Sequence, residues 1–280
     1  MGPGRARGKK VKLAISNLAW DREHEVAVAT IMRGANVSGV ELAATKIWSD
    51  PLAATDQEIT GYRKFWNSFD IEIVSLQSLL FGKPESELFG GDAARAEMLD
   101  YLRAMIRLAS KLGARVLVFG SPRNRRRDGL SDDAAEAIAI PFFRSLANEA
   151  AQHRVTFCFE PNPVEYGCDW ITTSSEGARL VEAVGTEGFA LNLDAGGMTL
   201  AGEEPASAIA SCSQVLAHFH ISNPNLTPVG KADDLARHVI FGRALKRAAF
   251  SGWTSIEMLP ATNTIEAIDT ALRQSAQQYR

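Results

Sequence analysis

The sequence predicts a single α/β domain folded as a (β/α)8 TIM barrel. Short apolar runs alternate with longer amphipathic segments eight times along the chain, which is the pattern of strands joined by helical crossovers. The chain has 280 residues, and barrels of this type need roughly 250. Four successive strands in the second half end in a metal-ligand residue, which parallel strands would bring to one rim.

The predicted strands are short runs rich in apolar residues. Residues 116–119, for example, are apolar at every position, which is typical of a strand buried on both faces of a parallel sheet. Strand and helix alternation then requires right-handed crossovers. The eight predicted strands are 12–17, 39–43, 71–77, 115–119, 155–160, 188–194, 215–221 and 253–257.

Amphipathic helical segments fill the intervals between these strands. An open doubly wound sheet is the competing arrangement, but the first strand is not followed by a Gly-x-Gly-x-x-Gly motif. No linker divides the chain, so we expect residues 11–280 to form one barrel domain. Residues 1–10 are basic and rich in glycine, and we expect them to form a disordered N-terminal tail. The predicted helices are 22–33, 56–68, 93–112, 132–153, 175–184, 205–210, 233–250 and 265–278.

Composition excludes several classes of partner. The formal net charge of -3 gives no broad basic surface for nucleic acid or an anionic membrane. Neither a signal peptide nor a membrane-spanning segment is predicted. The three cysteines are an odd number without metal-motif spacing, which favours reduced thiols and a cytoplasmic location.

One basic cluster interrupts this balance. Arg123, Arg125, Arg126 and Arg127 follow the fourth predicted strand. They are interpreted either as a solvated loop or as a lid or phosphate contact.

The four strand ends are Glu160, Asp194, His220 and Glu257. Carboxylate oxygens suit a hard divalent cation, and one imidazole extends the choice to manganese, cobalt, zinc or iron. Each residue alone could be a capping or salt-bridge group, but four in succession predict one metal site. His218 shares a face with His220 and is interpreted as a hydrogen-bonded core histidine one layer deeper.

The motifs around these strand ends resemble those of a known family. They read EPNP at 160–163, LDAGG at 193–197, HFHISN at 218–223 and SIEM at 255–258. The chain is thereby similar to the xylose isomerase-like TIM barrel superfamily. Within it, the sugar isomerase/epimerase branch, which includes ketose 3-epimerases and inosose dehydratases, is the best match.

This resemblance implies a metal-dependent sugar isomerase or epimerase. Glu160, Asp194, His220 and Glu257 would hold one divalent metal ion, with manganese preferred and magnesium, cobalt, zinc or iron as options. Glu160 and Glu257 would be catalytic, one removing a proton next to a carbonyl and the other returning it, while the metal stabilises the enediolate. The partner would be a small carbohydrate, and a homodimer or homotetramer is expected.

Two departures from the family pattern leave room for a different or larger substrate. Family epimerases usually carry a histidine three residues after the strand-six aspartate, where this chain has Gly197, and an arginine after the strand-seven histidine, where residues 223–227 have none. A lyase or dehydratase, similar to inosose dehydratase or to a C-glycoside-cleaving subunit, is therefore the alternative function. It begins with the same proton abstraction and then expels a leaving group.

Two further functions are disfavoured. A DNA repair enzyme like endonuclease IV shares the fold but binds a three-metal cluster through additional histidines, and this chain has five in all. A non-catalytic scaffold would have lost its strand-end ligands, and all four are present.

Several other side chains are candidates for substrate binding. Glu41, which ends the second strand, is interpreted equally as a substrate contact or as a buried hydrogen-bonding group. Trp20 is either an apolar wall for a sugar ring or a packing residue. An ordinary helix face is the alternative for Lys231 and His238, which would otherwise meet an anionic substituent. The full set is Asn162, Glu165, Glu41, Trp20, Lys231 and His238.

Overall fold

The computed structural model describes residues 11–280, and the predicted tail at 1–10 lies outside these described residues. Eight parallel strands form a closed barrel in sequence order, with the last strand paired to the first. The predicted (β/α)8 fold is therefore confirmed. The strands are β1 (Lys12–Ser16), β2 (Gly39–Ala43), β3 (Glu72–Gln77), β4 (Val116–Phe119), β5 (Thr156–Phe159), β6 (Phe189–Asp194), β7 (Leu216–Ile221) and β8 (Trp253–Ile256).

Helices surround the barrel, and one of them was not predicted. Every observed strand lies inside its predicted segment, whereas the short helix that follows β6 directly has no counterpart in the prediction. It begins where the Asp194 carboxylate accepts a hydrogen bond from the Gly197 N–H, as an N-cap does. The helices are α1 (Glu25–Gly34), α2 (Asp56–Asn67), α3 (Asp92–Leu112), α4 (Asp132–Gln152), α5 (Ser174–Val184), α6 (Ala195–Leu200), α7 (Pro205–Cys212), α8 (Ala232–Arg247) and α9 (Thr264–Tyr279).

The apolar core lies between the strands and the helices. On β5, Phe157 and Phe159 point outward and pack against Phe143 of α4, with ring centroids 6.5 and 5.4 Å away. Cys158 between them points into the barrel and packs against Val118. Burying a large apolar side chain stabilises a fold by about 1.5–3 kcal/mol, so this outer layer holds the helices onto the barrel.

The barrel interior, by contrast, is largely polar toward the carboxyl ends of the strands. Gln77 donates hydrogen bonds to Ser16 Oγ at 2.7 Å and to Glu41 Oε1 at 3.2 Å, and Ser75 Oγ donates to Glu41 Oε2 at 2.5 Å. All four residues are buried. Hydrogen bonding offsets the cost of burying these polar groups, so the strands already form a network on which a site can be built.

All three cysteines are buried and unpaired, in agreement with reduced thiols. Within residues 11–280, no helix has the length and apolar character needed to cross a membrane.

The contact between α8 and α9 generates a stability prediction. A Cβ added at Gly242 would overlap the backbone carbonyl oxygen of Gln278, whereas one added at Gly61 of α2 would meet nothing within 4 Å. We expect Gly242→Ala to lower the free energy of unfolding by about 1–3 kcal/mol, because α9 must shift to admit the methyl group.

Gly61→Ala is the matched control. The same substitution in open space should raise the free energy of unfolding by about 0.5–1 kcal/mol through reduced backbone entropy of the unfolded chain. Chemical denaturation measures both, and equal effects of the two substitutions would contradict the proposed tight α8–α9 contact.

Candidate metal centre and active site

Parallel pairing brings the four strand-end side chains to one rim of the barrel, around His220. Asp194 and His220 are register partners on β6 and β7. The Nδ1 atom of His220 lies 3.0 Å from Glu160 Oε2 and 3.2 Å from Glu257 Oε2. Ligand atoms of Asp194, His220 and Glu257 lie within 4.8 Å of one another. Three carboxylates and one imidazole therefore share one small volume, which we call the rim cluster.

The other ring nitrogen of His220 faces a fourth carboxylate. His220 Nε2 lies 3.2 Å from Glu41 Oε1, and His218 Nε2 lies 2.9 Å from Glu41 Oε2. The Glu41 side chain is fully buried, and Ser75 and Gln77 also donate to it. Glu41 therefore has the surroundings of a buried hydrogen-bonding group, which is one of its two predicted roles. His218 likewise lies in the core.

Burial and charge act against each other in the pKa values of these groups. Burial alone would raise the pKa of Glu41, but His220 and His218 hold it well below its usual range. Burial by itself lowers the pKa of His220, yet the Glu41 and Glu257 carboxylates raise it well above its ordinary value. An ion pair between Glu41 and His220 thus lies beneath the rim.

The rim carboxylates are held in an unfavourable environment for negative charge. Burial raises the pKa of Asp194 to about 7, and repulsion from Glu160 and Glu257 adds to the rise. Burial also raises the pKa of Glu257, which His220 only partly offsets. A divalent cation among these oxygens would remove the repulsion. The donor set of three carboxylates and one imidazole is one that such a cation accepts.

Two amide side chains orient Glu160. Asn192 Nδ2 donates to Glu160 Oε2 at 2.5 Å, and Asn162 Nδ2 donates to Glu160 Oε1 at 3.3 Å. Asn162 was predicted to bind substrate, and the structure places it beside the rim cluster. Asn192 was missed, although it precedes Asp194 by two residues on one strand and therefore shares its face.

The remaining predicted substrate residues are dispersed. Trp20 is buried and packs against Trp66 of α2, with ring centroids 6.2 Å apart, so packing describes it. Lys231 is exposed at the start of α8. His238 is buried, and its ring nitrogens lie 2.7 Å from Tyr279 Oη and 3.2 Å from Asn223 Oδ1.

Glu165 lines a cavity of about 750 Å³ formed by the loops after β3, β4 and β5. Tyr166 lines the same cavity and lies near the rim cluster. Burial raises its pKa to about 12, and the charges of Asp194, Glu257 and Glu160 contribute to the rise. Tyr166 thus lines the cavity and interacts electrostatically with the rim carboxylates, none of which lines the cavity itself. Its lining residues are Pro84, Glu87, Arg123, Asn124, Arg126, Asp128, Glu165, Tyr166 and Gly167.

The position of the missing family histidine is crowded. A Cβ at Gly197 would lie 3.2 Å from Asp194 Oδ1 and 3.4 Å from Pro163 Cδ. The Gly197 N–H donates to that same Asp194 oxygen at 2.6 Å. Gly197 thus helps to hold Asp194 and leaves no room for a side chain without a local shift.

The arginine cluster separates into different environments. Arg126 and Arg127 form ion pairs with Asp128 and Asp132, and Arg123 and Arg126 line the cavity at Glu165. Arg125 differs from them because its side chain is fully buried.

Comparison with known proteins places this geometry in a family. Residues 31–276 match the family model described as xylose isomerase-like TIM barrel, which confirms the resemblance seen in the strand-end motifs. The sequence matches no curated protein.

Solved structures show the same fold. A D-psicose 3-epimerase from Clostridium cellulolyticum H10, crystallised with D-tagatose, has a TM-score of 0.77 and 16% identity over 96% of this chain and 100% of its own. The 3-keto-D-glucoside 4-epimerase YcjR from E. coli has a TM-score of 0.77 and 15% identity over 96% and 100%. An IolI protein with a bound zinc atom has a TM-score of 0.74 and 15% identity over 96% and 98%.

The environment of His238 generates a pH prediction. Burial lowers its pKa from 6.5 to about 4, so the unfolded chain takes up the proton first as the pH falls. The stability that His238 contributes is complete above pH 6.5 and is lost as the pH falls toward about 4. We expect this loss to reach about 3 kcal/mol.

His238→Gln isolates the effect, because glutamine can hydrogen-bond to Tyr279 but does not titrate in this range. Denaturant unfolding of both proteins across the interval should show a steeper loss of stability for the wild type. Parallel pH profiles would mean that His238 is not held neutral.

Proposed function

Because the chain belongs to the xylose isomerase-like TIM barrel family, we propose that it is a divalent-metal-dependent isomerase or epimerase of a sugar or sugar derivative. The observation that carries this proposal is the rim cluster, where the carboxylates of Glu160 and Glu257 both lie within 3.2 Å of His220 Nδ1. The epimerase names of two similar solved structures support the same reaction class.

The proposed metal ligands are Glu160, Asp194, His220 and Glu257. His220 would bind through Nδ1, since Nε2 faces Glu41. Loss of the Nδ1 proton on metal binding, with the proton on Nε2 retained, would leave the Nδ1 lone pair directed at the carboxylates. Manganese suits this mixed set of oxygen and nitrogen donors, and magnesium, cobalt, zinc and iron are the other candidates. When bound, the cation supplies a Lewis acid that stabilises negative charge on substrate oxygens next to the carbonyl.

The protein's own part in the reaction is proton transfer by Glu160 and Glu257. We assign one carboxylate to remove the proton on the carbon next to the carbonyl and the other to return a proton. Return to the opposite face of the same carbon gives an epimer. Return to the former carbonyl carbon, with the hydroxyl proton moving to the former carbonyl oxygen, gives an isomer. Since the reaction is reversible, each glutamate must serve as acid in one direction and as base in the other.

The carboxylates of Glu160 and Glu257 differ in the side chains that contact them. Both carboxylates lie against His220 Nδ1, and Glu160 additionally accepts hydrogen bonds from the side-chain amides of Asn192 and Asn162. The cavity that Tyr166 and Glu165 line would receive the part of the substrate that does not react. Asn162 and Glu165 remain proposed contacts for substrate hydroxyl groups.

The substrate partner is proposed to be a small carbohydrate. The cytoplasmic location and the homodimeric or homotetrameric state remain predictions from the sequence. A lyase or dehydratase remains the alternative reaction, and the identity of the products separates it from the proposed one.

Metal content tests the site directly. Wild-type protein purified without chelator and reloaded with manganese should contain about one metal per chain, whereas Glu160→Gln and Glu257→Gln should bind it at least about tenfold more weakly, because each loses an anionic ligand. Elemental mass spectrometry after dialysis measures this. Glu182→Gln, on the exposed face of α5, makes the same chemical change away from the rim and should match wild type.

Solvent-deuterium exchange tests the chemistry. Wild-type protein with manganese should incorporate deuterium next to the carbonyl of one member of a panel of ketoses, inososes and sugar phosphates. Chelation should abolish the exchange, and Glu160→Gln or Glu257→Gln should slow it by about 10²–10⁴-fold. Release of water or an aglycone would identify a lyase, and exchange that survives complete metal removal would contradict the metal-dependent mechanism.

A further inference from the structure

Arg125 is a fully buried cation whose hydrogen bonds go to backbone carbonyl groups. Its loop neighbours Arg126 and Arg127 pair with aspartates, but no carboxylate within residues 11–280 forms a salt bridge with Arg125. A buried guanidinium is costly unless its N–H groups are satisfied. Its position therefore indicates a specific structural task.

The contacts of Arg125 join the ends of two neighbouring strands. Its Nε donates to the carbonyl of Gly120, directly after β4, at 2.7 Å, and its Nη2 donates to the carbonyl of Glu160, directly after β5, at 3.0 Å. Its Nη1 donates to the carbonyls of Trp170 and Ile171, the second at 3.2 Å. Four backbone oxygens from three segments thus accept from one side chain.

The same segments form the seat of the Glu160 carboxylate. A Cβ added at Gly120 would lie 2.7 Å from Glu160 Oε1, so the side chain of Glu160 packs against the backbone that Arg125 holds. The Ile171 carbonyl also accepts from the Asn162 N–H at 3.4 Å, and Asn162 donates to both the carbonyl and the carboxylate of Glu160.

Two further features fix Arg125 and its partners. The guanidinium lies 4.6 Å from the ring centroid of Phe159, the last residue of β5, a cation–π contact that holds its plane. Ile171 has a φ of 58°, a left-handed conformation that a β-branched residue adopts only when surrounding contacts enforce it. Arg125 supplies one of those contacts.

We propose that Arg125 is a positioning residue that fixes the backbone and carboxylate of Glu160 for metal binding. The inference rests on the proposed metal site. It goes beyond that site because it assigns a role to the Arg125 guanidinium, which holds the backbone of Glu160 without contacting metal or substrate.

The test is the manganese affinity of folded variants. Arg125→Met removes all four hydrogen bonds, and Arg125→Lys keeps the charge but cannot reach three segments at once. We expect the dissociation constant for manganese to rise about 10- to 100-fold in Arg125→Met, as for other residues that orient metal ligands, and less in Arg125→Lys. Arg127→Met, in the same loop, should bind as wild type does.

Circular dichroism and thermal unfolding show whether each variant is folded, so that a change in manganese affinity can be distinguished from a loss of stability. Folded Arg125 variants that bind manganese with the wild-type dissociation constant would overturn the inference even if their melting temperatures were lower. Should Arg125→Met fail to fold, Arg125→Lys decides by the same criterion.

A double-mutant cycle tests whether Arg125 acts through Glu160. Adding Arg125→Lys to Glu160→Gln should change the dissociation constant by less than about twofold, because coupled residues are not additive. A full additional loss would contradict the inference. Absence of specific manganese binding in the wild type would instead contradict the proposed function, and the role assigned to Arg125 would fall with it.

Discussion

The position of one buried imidazole governs the rest of the site. His220 has a carboxylate at each ring nitrogen, with Glu41 at Nε2 and Glu160 with Glu257 at Nδ1. Burial opposes charge on both His220 and Glu41, and their mutual attraction and hydrogen bonds keep this pair charged inside the barrel. The polar interior is the consequence, because Glu41 must be held by hydrogen-bond donors from β3. Polar side chains therefore take the place of apolar packing beneath the rim, and they keep His220 in one orientation.

The same constraint explains how a site of excess negative charge is tolerated. Asp194 and Glu257 are buried near Glu160, and their raised pKa values express that cost. Backbone and side-chain donors offset this cost, and within residues 11–280 no lysine or arginine forms an ion pair with Glu160, Asp194 or Glu257. Gly197 holds Asp194, and Arg125 holds the main chain of Glu160 from outside. The carboxylate oxygens are thereby held together at the rim, where the proposed cation would bind.

The strands and the four strand-end residues could be predicted because both follow from local patterns. An apolar run predicts a strand, and a polar residue at its carboxyl end points to the rim whatever its neighbours are. The partners of those residues could not be found in this way. Whether Trp20 and His238 face the rim or the packing layer depends on the direction of a loop or helix face, which tertiary contacts decide. Nothing in the sequence distinguishes Arg125 from its neighbour Arg126. Arg125 is buried because the ends of two strands close around it, whereas Arg126 is exposed.

In the function proposed for this protein, the cation lies on the Nδ1 side of His220. Glu41, His218 and His220 form a second group with ligand atoms within 4.8 Å of one another, so the position of the metal distinguishes the rim cluster from this deeper one. Anomalous diffraction from a manganese-loaded crystal, recorded above and below the manganese absorption edge, locates it directly. We expect one peak in contact with Glu160, Asp194, His220 Nδ1 and Glu257. A peak between Glu41 and His218, or none at the rim in fully loaded crystals, would contradict it.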